Sequence, residues 1–347
     1  MYLRNCWYAA AWSRDIEPNK PFARTICEEP VVIFKTESGQ LVALEDRCVH
    51  RRAPLSLGRI KGETIECGYH GLQYDCSGRC VRIPGQQDIP ERARVRAYPL
   101  ADKWRWLWIW LGNPEMADES LIPDVHWNDS PGWVSPGDTL HMNGHYQLLI
   151  DNLLDLSHLT FLHERTIGTS MVAETPMKAE AAGDRVRVTR WIIDQEAPPM
   201  FKKAGGFTEN VDRWQIIEWT PPGLVLIDVG CAPHGTGAPE GDRSQGIEAR
   251  SINLITPETA KTHHYLWSYA RNYNIENIEL TEFLLRAVGE TFLEDKEMLE
   301  GQQARAESDD RQDWTIDLKV DSGPMQARRI LERLIGEELG AVASAAE

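Results

Sequence analysis

Residues 48–71 read "CVHRRAPLSLGRIKGETIECGYHG". Cys48 and His50 make one tight pair, and Cys67 and His70 make another sixteen residues further on. Four soft or borderline donors in two pairs describe a metal site presented by two loops, with Gly68 and Gly71 in the second. A structural zinc site of two cysteines and two histidines usually groups the cysteines together and the histidines together. Here each loop supplies one of each. That mixture suits a two-iron cluster in which one iron takes both thiolates and the other both imidazoles. Replacing two thiolates by neutral imidazoles lowers the ligand charge and raises the reduction potential.

Short strands surround this stretch. "EPVVIFKTESGQLVALED" (29–46) has two apolar or β-branched runs around Ser38-Gly39, a hairpin signature. Residues 63–85 repeat the pattern with a turn at Ser77-Gly78. "ADKWRWLWIWLGNP" (101–114), taken as a strand, puts Trp104, Trp106, Trp108 and Trp110 on one face. Residues 112–133 are rich in turn formers and acids and form the linker. Beyond it, residues 184–194, 213–230 and 248–273 alternate like antiparallel strands, while 281–307 and 325–339 carry helical periodicity. Strand runs followed by helices indicate an α+β fold: an N-terminal all-β domain over 1–115, then a domain over 116–347 with an antiparallel sheet wrapped around helices.

The chain has 347 residues and a formal charge of −16, which argues against nucleic-acid binding through a general basic surface. No apolar run approaches a membrane span, and the start lacks a signal-peptide core, so the expected location is the cytoplasm. Seven cysteines without a secretory signal indicate thiols or metal ligands rather than a disulfide framework. Cys6, Cys27, Cys76, Cys80 and Cys231 show no partner pattern and read as packing residues.

A second stretch, "DNLLDLSHLTFLH" (151–163), continues an apolar run "YQLLI" (146–150) and reads as one core helix. Asn152, Asp155 and His158 recur every three residues and share a face. Buried polar groups need partners, so these should pair with one another or bind something. His158 and His163 with one carboxylate match the two-histidine, one-carboxylate set of non-haem iron oxygenases, which leaves coordination positions open. On spacing alone the carboxylate can be Asp155, or Glu290, Glu294, Asp295 or Glu297 of the late helix.

"CVHRRAPLS" followed by "CGYHGLQYD" resembles the signature of a Rieske [2Fe–2S] domain of the aromatic-ring oxygenase family, and "NLLDLSHLTFLH" resembles that family's mononuclear iron motif. The resemblance implies Cys48, His50, Cys67 and His70 as cluster ligands. It implies His158, His163 and the Asp295 of "FLEDKEML" as ligands of one mononuclear Fe(II), with O2 as co-substrate. Asp155 becomes the acid that joins His158 to His70 of a neighbouring subunit, and Asn152 sits beside the iron. Family members of this length are homotrimers. With no G-x-G-x-x-G at a strand-to-helix junction and no P-loop, electrons from NAD(P)H should arrive through a separate reductase carrying flavin and an iron–sulfur cluster.

The likeness runs from "RNCWYAAAW" to the last helix and is closest to the vanillate, dicamba and toluenesulfonate oxygenase branch, through "IPGQ" (83–86), "DRWQI" (212–216), "TPET" (256–259) and "ARN" (270–272). It implies an aromatic acid whose methyl or methoxy carbon is hydroxylated, a methoxy product then falling apart to a phenol and formaldehyde. Ile227, Asn253, His264 and Trp267 are candidate pocket walls, with Asn253 and His264 as donors to the substrate anion. Three other readings make different predictions. A ring-dihydroxylating dioxygenase yields a cis-diol. A Rieske electron carrier without catalysis leaves the 152–163 stretch without a role. A zinc-stabilised binding module is colourless.

Overall fold

The computed structural model describes residues 1–308 and 315–346. Residues 1–122 with 256–260 form one compact unit, and 123–255 with 261–347 form the other.

The first unit is built from β1 (Trp7–Trp12), β2 (Phe22–Ile26), β3 (Glu29–Lys35), β4 (Leu41–Glu45), β5 (Arg59–Lys61), β6 (Thr64–Glu66), β7 (Gln73–Tyr74), β8 (Cys80–Arg82), β9 (Ala97–Tyr98), β10 (Leu100–Lys103) and β11 (Trp106–Trp110). They make three antiparallel sheets, ordered β1-β11-β10, β2-β3-β4-β9 and β5-β6-β7-β8. Ser38-Gly39 turns the β3–β4 hairpin, with Gly39 at φ 92° and Lys35 opposite Leu41. Period-two alternation splits β3 between two cores. Val31 and Ile33 join Tyr8, Ile109 and Leu111, whereas Val32 and Phe34 join Leu55, Ile65, Tyr74 and the two cysteines Cys48 and Cys67. The second core lies directly beneath the candidate ligand loops. One expectation fails here: Trp104 does not share a face with the other tryptophans. Trp104 and Arg105 turn the β10–β11 hairpin at φ 59° and 67°, and only Trp106, Trp108 and Trp110 are strand residues.

The second unit holds β12 (Gly137–Met142), β13 (Lys178–Ala182), β14 (Arg185–Gln195), β15 (Val211–Thr220), β16 (Leu224–Pro233), β17 (Ile247–Thr259) and β18 (Thr262–Arg271), the last four residues of β17 (256–259) being counted with the first unit. These form one seven-stranded antiparallel sheet, ordered β12-β18-β17-β16-β15-β14-β13. The helices are α1 (Tyr146–Leu154), α2 (Leu159–Leu162), α3 (Ser170–Glu174), α4 (Pro199–Gly205), α5 (Ile278–Ser308) and α6 (Ser322–Ala346). On α5 the buried residues Leu284, Ala287, Val288, Thr291, Phe292, Asp295 and Leu299 recur at three- and four-residue spacing, which is one helical face. Phe292 anchors that face on the sheet through Tyr265 and Trp267 of β18, at ring-centroid distances of 5.0 and 5.1 Å. The first unit is thus all-β and the second combines an antiparallel sheet with helices, the α+β arrangement expected from the sequence, and no helix among the described residues is long and apolar enough to cross a membrane.

The single helix expected over 146–163 is broken. α1 stops at Leu154, Asp155 is extended at φ −120° and ψ 95°, and a 3₁₀ turn at Leu156–His158 leads into α2. The cause is the Asp155 side chain, which accepts from the Ser157 N–H at 2.8 Å and starts a new turn in place of continuing the old one.

Candidate metal centres

In the first unit, Cys48–Ala53 and Cys67–Leu72 are loops of one design. The Cys48 N–H donates to Ala53 O at 2.8 Å and Arg52 N–H to Cys48 O at 2.8 Å. Likewise, Cys67 N–H donates to Leu72 O at 2.8 Å and Gly71 N–H to Cys67 O at 3.0 Å. Arg52 and Gly71, at matching places, take positive φ of 59° and 72°. The left-handed backbone suits Gly71 and is strained at Arg52. Within this shared frame each cysteine points down into the core while each histidine points out: Cys48 and Cys67 are buried, and His50 and His70 are exposed. The imidazole rings lie 4.5 Å apart. Donors of one kind therefore pair across the loops, thiol with thiol and ring with ring. This is the arrangement that a two-iron cluster requires and that a single tetrahedral zinc does not.

The sulfur environment fits as well. The Tyr74 hydroxyl lies 3.1 Å from Cys48 Sγ and also accepts the Val49 N–H at 3.2 Å, which leaves its own proton for the sulfur. Burial pushes the Cys67 thiol up, opposed by the Tyr69 and His70 N–H groups that point at it. Those N–H groups favour the thiolate that a cluster needs.

In the second unit, ligand atoms of His158, His163 and Asp295 lie within 4.8 Å of one another. Asp295 Oδ1 is 3.1 Å from His163 Nε2 and 3.5 Å from His158 Nε2. The other ring nitrogens are already engaged. His163 Nδ1 donates to Glu294 Oε2 at 2.6 Å, and His158 Nδ1 donates to the Asp155 carbonyl at 2.7 Å. Each hydrogen bond fixes the tautomer that leaves Nε2 as a lone-pair donor toward the common point. Asn152 Nδ2 donates to Asp295 Oδ1 at 3.0 Å, and its buried Oδ1 has no partner among the described residues. Two neutral nitrogens, one carboxylate and an orphaned acceptor fit a divalent iron held on one side.

Burial opposes protonation of both imidazoles and lowers His158. At His163 the hydrogen bonds and charges of Asp295 and Glu294 outweigh burial and raise it. Of the acids that spacing left open, Asp295 turns inward and is 2% exposed, and Glu294 supports His163 from behind. Asp155 contributes its carbonyl to His158, while its carboxylate caps the turn.

These donors sit on the wall of a cavity of about 70 Å³. Register explains how the sheet supplies the opposite wall. Gln215 faces Val229, Val229 faces Ala249, and Ile227 faces Ser251, so Arg213, Gln215, Ile227, Val229 and Ser251 project from one side of β15, β16 and β17. Leu153, Leu159, Met200, Phe201, Val288 and Phe292 complete a mostly apolar enclosure.

Of the four residues expected on the substrate wall, Ile227 alone lines this cavity. Asn253 is fully buried one residue pair further along β17, where it bonds to Val225 O, Ser251 O and the Tyr265 hydroxyl. Its polar atoms are thus spent inside the sheet. His264 lies opposite His141 of β12, on the face away from Tyr265. Trp267 is covered by Phe292. Sequence reasoning missed Arg213, Gln215 and the supporting role of Glu294. The signal was present in "VDRWQII" (211–217), where Arg213 and Gln215 stand two residues apart in a stretch of strand that is buried throughout.

Comparison with known proteins agrees with this geometry. Residues 6–99 match the Rieske [2Fe–2S] domain family, and residues 142–337 match the vanillate O-demethylase oxygenase C-terminal domain family. The toluene-4-sulfonate monooxygenase system iron–sulfur subunit of Comamonas testosteroni is 39% identical over 99% of this chain and 100% of its own length. The vanillate O-demethylase oxygenase subunit of Pseudomonas sp. (strain HR199 / DSM 7063) is 36% identical over 97% of this chain and 96% of its own. The crystal structure of dicamba monooxygenase bound to dicamba superposes with a TM-score of 0.88 at 29% identity, covering 98% of this chain and 99% of that one.

Proposed function

We propose that this chain, which belongs to the Rieske [2Fe–2S] oxygenases with a vanillate O-demethylase-type catalytic domain, is the terminal oxygenase of a multicomponent monooxygenase acting on the methyl or methoxy carbon of an aromatic acid. The observation that carries this reading is the convergence of His158, His163 and Asp295 on the wall of an apolar cavity. The reaction inserts one oxygen atom of O2 into a C–H bond and reduces the other to water, using two electrons and two protons. His158, His163 and Asp295 would hold an iron that supplies the activation of O2, and Cys48, His50, Cys67 and His70 a cluster that would supply electrons one at a time.

The chain's own residues do the rest. Glu294 and the Asp155 carbonyl hold the two imidazoles in one tautomer and orientation, and Asn152 holds Asp295 Oδ1. Leu153, Leu159, Phe201 and Phe292 exclude water and place an aromatic ring beside the metal donors. Cys48 and Cys67 hold one cluster iron, and His50 and His70 present the other at the surface. The exposed His50 and His70 suit electron exchange with a flavin- and iron–sulfur-carrying reductase and with His158 of a neighbouring subunit in a homotrimer, with Asp155 between the two histidines. The whole assembly works in the cytoplasm.

The test is turnover by the cluster-loaded, iron-loaded protein with a flavin-dependent ferredoxin-type reductase and NADH. Methoxy- and methyl-substituted benzoates and benzenesulfonates are the substrates, and products are identified by mass. Phenol with formaldehyde, or a benzylic alcohol, is the expected outcome. A cis-diol would move the protein to the ring-dihydroxylating class, and no oxygenated product from any member would overturn the reading.

A further inference from the structure

Arg213 is 3% exposed and lines the same cavity as the metal donors. Its Nη2 donates to Ile167 O at 3.1 Å, yet Nε and Nη1 are buried with no hydrogen-bond partner among the described residues. Phe201 lies 5.6 Å from the guanidinium carbon. Burial lowers its pKa to about 10, and the titratable neighbours that act on it, Cys231 first, then the Arg190 cation and Tyr269, include no carboxylate. Arg190 itself is fully engaged by Thr175 O, Gln215 Oε1 and Ser157 Oγ. That engagement has a second consequence. With Oε1 of Gln215 accepting from Arg190 at 3.0 Å, the Gln215 amide is oriented, and its buried Nε2 finds no acceptor among the described residues. Gln215 stands two residues from Arg213 on the same face of β15 and lines the cavity too.

A buried cation without a counter-charge is costly, and the cost persists only if something offsets it in the working state. Two donors with free N–H groups, one of them positively charged, face an enclosure whose other walls are aliphatic and aromatic. We propose that Arg213, assisted by Gln215, is the subsite for the single negative charge on the aromatic substrate, a carboxylate or sulfonate oxygen set. The ring lies along Leu159, Phe201 and Phe292, and the methyl or methoxy carbon meets the metal donors. This rests on the proposed function and narrows it: the protein selects aromatic monoanions and discriminates against their neutral esters and sulfones. Asn253 and His264 take no part, because neither reaches the cavity.

The experiment is calorimetric binding to the holoenzyme, with no turnover. The probes are 4-methoxybenzoate and its methyl ester, and 4-toluenesulfonate and methyl 4-tolyl sulfone. Wild type is expected to bind each anion about 100-fold more tightly than its neutral partner, the range for a buried charge-assisted contact. Which anion binds more tightly tells carboxylate from sulfonate. Arg213→Met removes the preference and binds the ester at least as tightly, whereas Arg213→Lys keeps part of it. The substrate-free Arg213→Met protein is expected to melt no lower than wild type, since an apolar side chain of similar volume relieves an unpaired buried charge. Equal binding of anion and ester by wild type overturns the inference even if the variants fail to fold. So does an Arg213→Met protein that keeps the preference. Because binding is read without oxidation, a preference that depends on Arg213 stands even where no oxygenated product forms, and that result would fault the reaction alone.

Discussion

Glu294 offers the sharpest test of how the mononuclear centre is held. Its carboxylate accepts from His163 Nδ1 at 2.6 Å, on the side of the ring opposite the metal donors' meeting point. Glu294→Leu removes that acceptor without touching a ligand. A hydrogen bond to a charged acceptor contributes about 1.5–3 kcal/mol. The Glu294 side chain is 37% exposed, so solvent screening places the effect at the lower end, about 1.5 kcal/mol. That energy corresponds to roughly a tenfold loss of metal affinity, in line with the usual effect of losing an outer partner of a metal-bound histidine. Glu294→Gln keeps a neutral acceptor and should lose about threefold. The assay is titration of chelator-treated protein with Co(II), followed by its visible bands, with the cluster absorbance as internal reference. Affinity of Glu294→Leu within twofold of wild type would refute the role of this hydrogen bond, as would loss of the cluster together with the second site.

Further outcomes follow from other contacts. Asp155→Asn keeps both its carbonyl and its turn cap, so the cluster and the mononuclear iron should both remain bound while steady-state turnover falls at least 100-fold; full activity in that variant removes Asp155 from the electron path. Tyr74→Phe deletes the hydroxyl 3.1 Å from Cys48 Sγ, a bond of about 1 kcal/mol, and should lower the cluster midpoint by about 40 mV in a spectroelectrochemical titration. An unchanged potential would show that the hydroxyl does not donate to the sulfur. His234 bonds to buried Asp212 at 2.8 Å, and this bond raises its pKa. A raised histidine stabilises the fold fully below its unfolded value of about 6.5 and loses that contribution as pH rises through the folded value. His234→Ala should therefore depress the melting temperature more at pH 5.5 than at pH 9, and a pH-independent difference would refute the pairing.

How much of this was legible in the sequence depended on range. The four candidate cluster ligands declare themselves because each loop is local: a cysteine, a histidine and a left-handed residue within six positions determine both the fold of the loop and the donors it offers. The β3–β4 hairpin was equally local, set by Ser38-Gly39 between alternating runs. The break at Asp155 was hidden because an aspartate inside a helically periodic apolar run satisfies the pattern, and only its bond to Ser157 N–H ends the helix. Trp104 was misplaced for a like reason, since alternation continues through a two-residue turn. The substrate wall was the hardest part. Ser251 and Asn253 share a strand face, so periodicity cannot tell which one stands over the cavity. That depends on where α5 crosses the sheet, and Ser251 lines the space while Asn253 is closed off by Tyr265. Asp295 needed the fold as well, because Glu290, Glu294 and Glu297 offer the same chemistry nearby on the same helix.

We propose that electrons from a cluster at Cys48, His50, Cys67 and His70 serve chemistry at His158, His163 and Asp295. A single-turnover measurement tests it most directly. Protein with a dithionite-reduced cluster and bound Fe(II), freed of excess reductant, is mixed with O2 and 4-methoxybenzoate, and cluster oxidation and product are followed together. Wild type is expected to reoxidise its cluster and form 4-hydroxybenzoate with formaldehyde. The same protein carrying His158→Ala should keep its Rieske signal and form no product. Product from the His158→Ala variant, or rapid wild-type cluster oxidation with no product from this acid or the other aromatic acids of the panel, would contradict it.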